Sequence, residues 1–91
     1  MVRGVWVAKL NISRRTAQKI SELHQITPQE VRDAVLCVED LEYGWDNHPD
    51  WGWRVIISVR IRNRQALVVL FEADDPLGDC WNLGSAYFVE G

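Results

Sequence analysis

The most regular pattern in the chain is an alternation of apolar and polar residues over residues 54–62 (RVIISVRIR). Valine or isoleucine stands at every second position, and the positions between them include Arg54, Arg60 and Arg62. Because successive side chains of a strand point to opposite faces, this pattern predicts a strand with one buried face and one face that carries arginines.

Two more strands are predicted after this one. Asn63-Arg64 is a predicted two-residue turn, because asparagine tolerates a positive φ. Residues 66–73 (ALVVLFEA) are apolar on both faces, as is typical of a central strand. A turn over residues 74–79 leads to a last strand over residues 80–89. Alternation along that strand predicts one face with Trp81, Leu83, Ser85, Tyr87 and Val89.

Two helices are predicted upstream, and the second has the strongest local signal. Ser13 is a suitable N-cap for a helix over residues 14–24. Residues 27–30 (TPQE) form a capping box with proline at the first helical position. A short strand is predicted over residues 4–12, and residues 41–46 are a candidate for one extra strand. These elements predict an α+β fold in the order β-α-α-β-β-β, with an antiparallel sheet after the helices.

Length and composition place the chain among single globular domains. Ninety-one residues, 47% of them hydrophobic and 25% charged, predict one domain over residues 1–91. A chain this short buries only about 60–65% of its unfolded surface, so we expect a partner protein or a second copy of the chain to matter. The sequence shows no leader pattern and no apolar run of about 18 residues, so we expect a cytoplasmic protein with no membrane partner.

Charge is distributed in blocks along the chain. The net charge is −3, which argues against a general binder of polyanions. However, residues 54–67 carry four arginines and no acid, whereas residues 37–53 carry five acids and no lysine or arginine. The basic block therefore predicts a local positive surface on an acidic protein.

The arginines are the first candidates for chemistry. Residues at i and i+2 of a strand lie about 6.5–7 Å apart, close to the spacing of phosphates along one nucleic-acid strand. Arg60 and Arg62 are therefore predicted to hold an RNA or DNA backbone, and Arg54 and Arg64 are predicted to extend that contact. The alternative is a solvated face on which the arginines pair with some of the thirteen acids.

Aromatic residues and histidines supply the other candidates. Tyr87 and His48 are candidate proton-transfer groups, although sequence alone does not locate a partner for either. Three tryptophans surround an acidic loop and are predicted either to pack over the end of the sheet or to bind a partner: Trp45, Trp51 and Trp53.

Cysteine spacing gives no sign of a metal site. Cys37 and Cys80 show neither a CxxC pair nor the spacing of zinc ligands. We expect two buried free thiols and no metal or other cofactor.

One segment resembles a known family. Residues 24–31 (HQITPQEV) resemble the H-G-V-S-x-E-E-A helix junction of the BrnT family. These are small toxins of type II toxin–antitoxin systems, related in fold to the RelE/ParE toxins. The resemblance extends over roughly residues 14–88.

The order of later motifs agrees with that resemblance. His48 and Arg54 precede a strand, and residues 64–69 (RQALVV) resemble the family's R-x-L-V-V run. Residues 85–86 (SA) match the start of the family's S-A-R. Tyr87 stands where the family has that arginine, which is a departure from the pattern.

The resemblance implies a RelE/ParE-like fold and a toxin that cleaves RNA without a metal. In that chemistry a base removes the proton of a 2′-hydroxyl, the oxygen attacks the adjacent phosphate, and arginines stabilise the developing charge. Its partners would be RNA and a cognate antitoxin protein. The predicted roles are phosphate binding for Arg60 and Arg62, and proton transfer for Tyr87 or His48.

Two other functions are compatible with the same sequence. The first is a protein-binding module of the same fold without catalysis, in which the tryptophan loop contacts the partner. The second is a winged helix-turn-helix protein that binds DNA through its second helix. That helix offers only Arg32 beside Glu30 and Asp33, which predicts poor contacts with phosphate.

Overall fold

The computed structural model of the chain describes residues 5–50, 52–73 and 79–89. Its elements are β1 (Lys9–Asn11), α1 (Arg14–His24), α2 (Pro28–Val35), β2 (Glu42–His48), β3 (Gly52–Ile61), β4 (Arg64–Glu72) and β5 (Cys80–Phe88). The α+β class and the element order are confirmed, and the extra strand expected near residues 41–46 is present as β2. The longest described helix has eleven residues, too few to cross the apolar interior of a bilayer.

The five strands form one mixed sheet in the order β1-β5-β4-β3-β2. Strands β2 to β5 are antiparallel to their neighbours, as predicted, and β1 joins the sheet parallel to β5. The chain therefore runs from one edge of the sheet through both helices to the other edge, and then returns strand by strand.

Both helices begin at the residues that the sequence indicates. The hydroxyl of Ser13 accepts a hydrogen bond from the backbone N–H of Thr16 at 3.1 Å. The Thr27 hydroxyl accepts from the N–H of Glu30 at 3.2 Å, and the Glu30 carboxylate accepts from the N–H of Thr27 at 3.0 Å. The predicted capping box is confirmed in both of its bonds.

The helices pack on one face of the sheet only. We name this the covered face; its strand residues are Val55, Ile57, Ile61, Ala66, Val68, Leu70, Trp81, Leu83 and Ala86. Ile20 from α1 and Val31 and Val35 from α2 are fully buried against them, with Ile26 between the helices. The opposite face, named the open face, carries Arg54, Ile56, Ser58, Arg60, Gln65, Leu67, Val69, Phe71, Ser85 and Tyr87.

Several sequence predictions need correction. Only residues 9–11 of the predicted strand over 4–12 are a strand, although Val5 and Val7 are buried as the alternation suggests. Leu23, expected in the core, is 69% exposed. Cys37 is also exposed and Cys80 is half-buried, so the expectation of two buried thiols is wrong. The predicted turn over residues 74–79 lies mostly outside the described residues.

The predicted turn at Asn63-Arg64 is one residue too late. Ile61 pairs with Arg64, and the two residues between them turn the chain with φ of 51° for Arg62 and 63° for Asn63. Two successive positive φ values are typical of the type I′ turn that fits the twist of a hairpin. Arg62 is therefore a turn residue, not a member of the strand face.

The alternation predicted for β5 is interrupted by a bulge at Gly84. Leu70 pairs with Leu83, but the next residue of β4, Val69, pairs with Ser85. The extra residue reverses the orientation of the side chains that follow. Trp81 and Leu83 therefore face the helices, whereas Ser85 and Tyr87 face the open side, so the prediction that all four share one face is wrong.

Gly84 is required where it stands because of Phe71. A Cβ at position 84 would lie against the Phe71 ring at less than van der Waals separation, whereas a Cβ at Gly44 would meet nothing within 4 Å. We expect Gly84→Ala to destabilise the protein by about 1–3 kcal/mol, because the ring must move to admit the methyl group. Urea denaturation of the purified variants measures this difference.

Gly44→Ala is the matched control and should change the free energy of unfolding by less than about 0.5 kcal/mol. Adding Phe71→Leu to Gly84→Ala should recover part of the loss, because the smaller side chain leaves room for the methyl group. Equal effects of the two alanines would contradict the packing described.

Candidate functional site

A pocket of about 490 Å³ opens on the open face. Its polar lining comes from three parts of the chain: Lys19 of α1, Arg54 of β3, and Ser85 and Tyr87 of β5. Its apolar lining includes Val69 and Phe71 of β4 together with Leu83 and Gly84 of β5. An apolar floor with a few polar groups at the rim is the usual composition of a ligand site.

The bulge at Gly84 creates this pocket. It turns Ser85 and Tyr87 to the open face, where Ser85 pairs with Val69 and Tyr87 pairs with Leu67. The Phe71 ring lies over the glycine, where any other residue would block it. The same local irregularity thus brings a hydroxyl, a phenol and an aromatic ring to one place.

Arg54 is held at the pocket by an ion pair. Its Nε donates to Oδ2 of Asp46 at 2.7 Å, across the pairing of β3 with β2. A guanidinium has five N–H donors, so this bond leaves its terminal nitrogens able to bind an anion. Arg54 was predicted to bind substrate, and the structure places it in the lining.

Lys19 was not predicted as a site residue. It lies on α1, and its side chain reaches the pocket because α1 packs along β5, beyond the three-residue strand β1. An exposed helical lysine has no distinguishing local pattern, so only the tertiary packing identifies it. It adds a second positive charge close to Tyr87.

Tyr87 also contacts the C-terminal turn of α1. Its ring centroid lies 5.9 Å from that of His24, with the rings tilted by 49°. This contact between two half-buried rings fixes the orientation of the phenol. The sequence indicated His24 only as a residue at the end of a helix.

Arg60 lies on the open face as predicted, at its far end. The side chain is exposed, and Nη2 donates to the backbone carbonyl of Asn63 at 3.4 Å. Arg54 and Arg60 are six residues apart, which is about 20 Å along a strand. They therefore mark two ends of the open face.

Arg62 and Arg64 do not lie on the open face. Nε of Arg62 forms an ion pair with Oε2 of Glu30 at 2.9 Å, and Nη2 donates to the carbonyl of Gln25. The guanidinium of Arg64 stacks on the Phe88 ring at 4.0 Å from its centroid, and Arg62 lies 5.2 Å from the same centroid. The predicted arginine ladder, with Arg60 and Arg62 at phosphate spacing, is wrong.

The remaining predicted residues lie at the hairpin of β2 and β3. His48 ends β2 opposite Gly52, beyond Arg54, so the register does not bring its backbone to the row of Tyr87. Trp45 and Trp53 are 45% and 59% exposed on the covered-face side of that hairpin. Trp51 lies outside the described residues.

The pKa of the Glu30 carboxyl is lowered below its ordinary value of 4.5. The largest cause is the hydrogen bond from the backbone N–H of Thr27, with smaller contributions from the Thr27 hydroxyl and from the charge of Arg62. Desolvation acts in the opposite direction. Glu30 and Arg62 thus join the helix junction to the β3–β4 turn, and their role is structural.

No family model, curated protein or solved structure matches the chain. Within residues 5–50, 52–73 and 79–89, no three histidine, cysteine, aspartate or glutamate side chains gather as a metal site.

Replacing Glu30 should change how stability depends on pH. A carboxyl whose pKa is lower in the folded state contributes stability above its unfolded pKa and loses it as pH falls through the folded value. We therefore expect Glu30→Gln to be destabilising at neutral pH, by an amount that shrinks as the pH falls below about 4.5. Thermal unfolding at a series of pH values measures this.

Arg62→Ala should reduce this pH dependence only in part, because Thr27 is the larger cause of the shift. Arg64→Ala serves as the control, since Arg64 has no contact with Glu30 in the ion pairs described. A difference between the wild type and Glu30→Gln that stays constant across the acid range would contradict the assignment.

Proposed function

We propose that this chain is a toxin-type endoribonuclease of the RelE/BrnT kind, and that it binds single-stranded RNA on the open face and cleaves it at the Tyr87 pocket. The observation that carries the proposal is that Lys19, Arg54 and Tyr87 line one cavity. The order of elements and the helix junction at residues 24–31, which resembles BrnT, support the same class.

The open face has the composition expected of a surface that binds single-stranded RNA. Its centre is apolar, with Ile56, Leu67, Val69 and Phe71, and bases that are not paired can stack on such a surface. Arg54 and Lys19 supply positive charge at one end and Arg60 at the other, about 20 Å away. That length accommodates a few nucleotides of an extended strand.

The pocket has groups suited to the transfer step. In the proposed reaction the 2′-hydroxyl gives its proton to solvent, and its oxygen forms a bond to the adjacent phosphorus. The bond from phosphorus to the 5′-oxygen then breaks, and the Tyr87 phenol donates a proton to that leaving oxygen and later regains one from solvent. Lys19 and Arg54 stabilise the charge on the phosphate oxygens. The products are a 2′,3′-cyclic phosphate and a 5′-hydroxyl.

The alternative of a DNA-binding helix-turn-helix has little support. Helix α2 packs against β3, and its Arg32 side chain is directed back to the carbonyl of Leu10 at 3.5 Å. Gln29 and Asp33 are exposed on that helix, and a carboxylate there opposes contact with phosphate. A module that binds without catalysis uses the same face, and it differs only in leaving RNA intact.

The first test is cleavage of a single-stranded RNA by the purified chain. We expect products with cyclic phosphate and 5′-hydroxyl ends. Tyr87→Phe should slow cleavage by about 10²–10⁴-fold, the usual contribution of a positioned acid or base. Lys19→Met should weaken both binding and rate. RNA that stays intact with the wild-type chain, beside an active control ribonuclease, would remove the catalytic proposal.

Arg62→Ala is the charge-matched control for this experiment. It removes an arginine that pairs with Glu30, so the rate of cleavage should stay within about twofold of the wild type at temperatures where the variant is folded. A loss of cleavage in Arg62→Ala as large as that in Lys19→Met would place the phosphate contacts outside the pocket. Growth arrest on expression, relieved by Tyr87→Phe, is the corresponding result expected of a toxin.

A further inference from the structure

The outer edge of β2 is a second surface with its own chemistry, and its argument does not depend on the proposed function. In the described part of the chain, β2 has a strand neighbour on one side only, which is β3. It is seven residues long and contains no proline. An edge of this kind offers a row of backbone donors and acceptors to another extended segment.

The hairpin between β3 and β4 determines which backbone groups point outward from β2. Ile61 and Arg64 close a two-residue turn and therefore form a hydrogen-bonded pair. In an antiparallel ladder such pairs alternate, so every second residue of β3 bonds to β4 and the others bond to β2. Arg54 is one of those that bond to β2, through its partner Asp46.

The residues on either side of Asp46 consequently direct their backbone groups away from β3. They are Trp45 and Asn47, each with one N–H and one C=O at the outer edge. The register of a segment that pairs there is thereby fixed.

An apolar platform lies beside this edge on the covered-face side. Trp45 pairs with Val55, and Trp53 stands two residues before Val55, so the two indoles are diagonal neighbours. Trp45 rests against the buried ring of Trp81, with centroids 6.0 Å apart. Rigid aromatic rings that remain partly exposed are the residue type most enriched at the centres of protein interfaces.

The charge around the edge selects the kind of partner. Residues 39–50 contain five acids and no lysine or arginine. One of them, Asp46, is paired with Arg54, while Glu39, Asp40 and Glu42 are exposed. A second copy of β2 would bring the same acids opposite these and would be repelled, whereas a basic segment would be attracted.

We propose that the outer edge of β2 binds an extended basic segment of a partner protein, which adds to the sheet as a sixth strand. Alternate apolar side chains of the segment pack on Trp45 and Trp53, and its lysines or arginines lie near the acids of residues 39–50. This site differs from the open face in its charge, which is negative, and in the class of molecule it takes.

The test uses two synthetic peptides of about eight residues, long enough to match β2. One alternates valine with lysine and the other alternates valine with glutamate. Labelled peptides are titrated with the full chain, and anisotropy gives the affinities. The lysine peptide should bind at least about tenfold more tightly than the glutamate peptide, and added salt should weaken it.

Two pairs of variants locate the binding. Asn47→Pro removes one outward N–H and should weaken the lysine peptide by about tenfold, whereas Asn47→Ala should change its affinity less than about twofold. Trp53→Ala should weaken it to a similar extent, and Leu23→Ala, which removes an equally exposed apolar residue of α1, should not. Amide exchange at Trp45 and Asn47 should slow when the peptide is bound.

Three results would overturn the proposal. The first is no binding of the lysine peptide up to millimolar concentration, or equal binding of both peptides. The second is equal affinity in Asn47→Pro and Asn47→Ala, which would exclude pairing at the edge. The third is a different occupant: a homodimer of the chain that Asn47→Pro dissociates, or single-stranded RNA whose binding is lost in Trp53→Ala.

Discussion

The packing of Ile20, Val31 and Val35 onto Val55 and Ile57 holds both helices against one face of the sheet. Because these side chains are fully buried, that face is closed to ligands. The other face is left without a helix over it among the described residues, although it carries apolar side chains of its own at Leu67, Val69 and Phe71. A half-apolar sheet surface that is not covered by its own chain is a natural place for a ligand.

Charge divides the molecule further. Positive side chains line the pocket of the open face, at Lys19 and Arg54, whereas the carboxylates of residues 39–50 surround the edge strand β2. The Arg54–Asp46 pair lies where the two regions meet. Two surfaces of opposite sign suit two ligands of opposite charge, so a small acidic protein can bind RNA at one place and a basic protein segment at another.

Local signals in the sequence were sufficient for most elements of the fold. The capping box at Thr27 and the period-two pattern of β3 involve only neighbouring residues, and both were predicted correctly. The two main errors arose where the backbone departs from the regular pattern. A positive φ at Arg62 is uncommon for a residue other than glycine, and the alternation along β5 gave no sign that one residue is unpaired.

A glycine inside a strand does indicate a bulge, so Gly84 was the signal that could have corrected β5. The site was less predictable than the fold, because its residues meet only through tertiary packing. Lys19 lies on a helix and Tyr87 on the last strand, and nothing in their local sequences relates them. Arg62 shows the reverse case, since a residue with the expected chemistry is committed to Glu30 instead.

The central claim is that the open face, and not the tryptophan edge, binds RNA. NMR titration of the labelled chain with a short single-stranded RNA, 2′-O-methylated so that it resists cleavage, tests this claim most directly. The account predicts that amide signals of Lys19, Gly84, Ser85 and Tyr87 move together with increasing RNA, while those of Trp45 and Asn47 stay in place. Shifts confined to β2, or no shifts on the open face at saturating RNA, would contradict it.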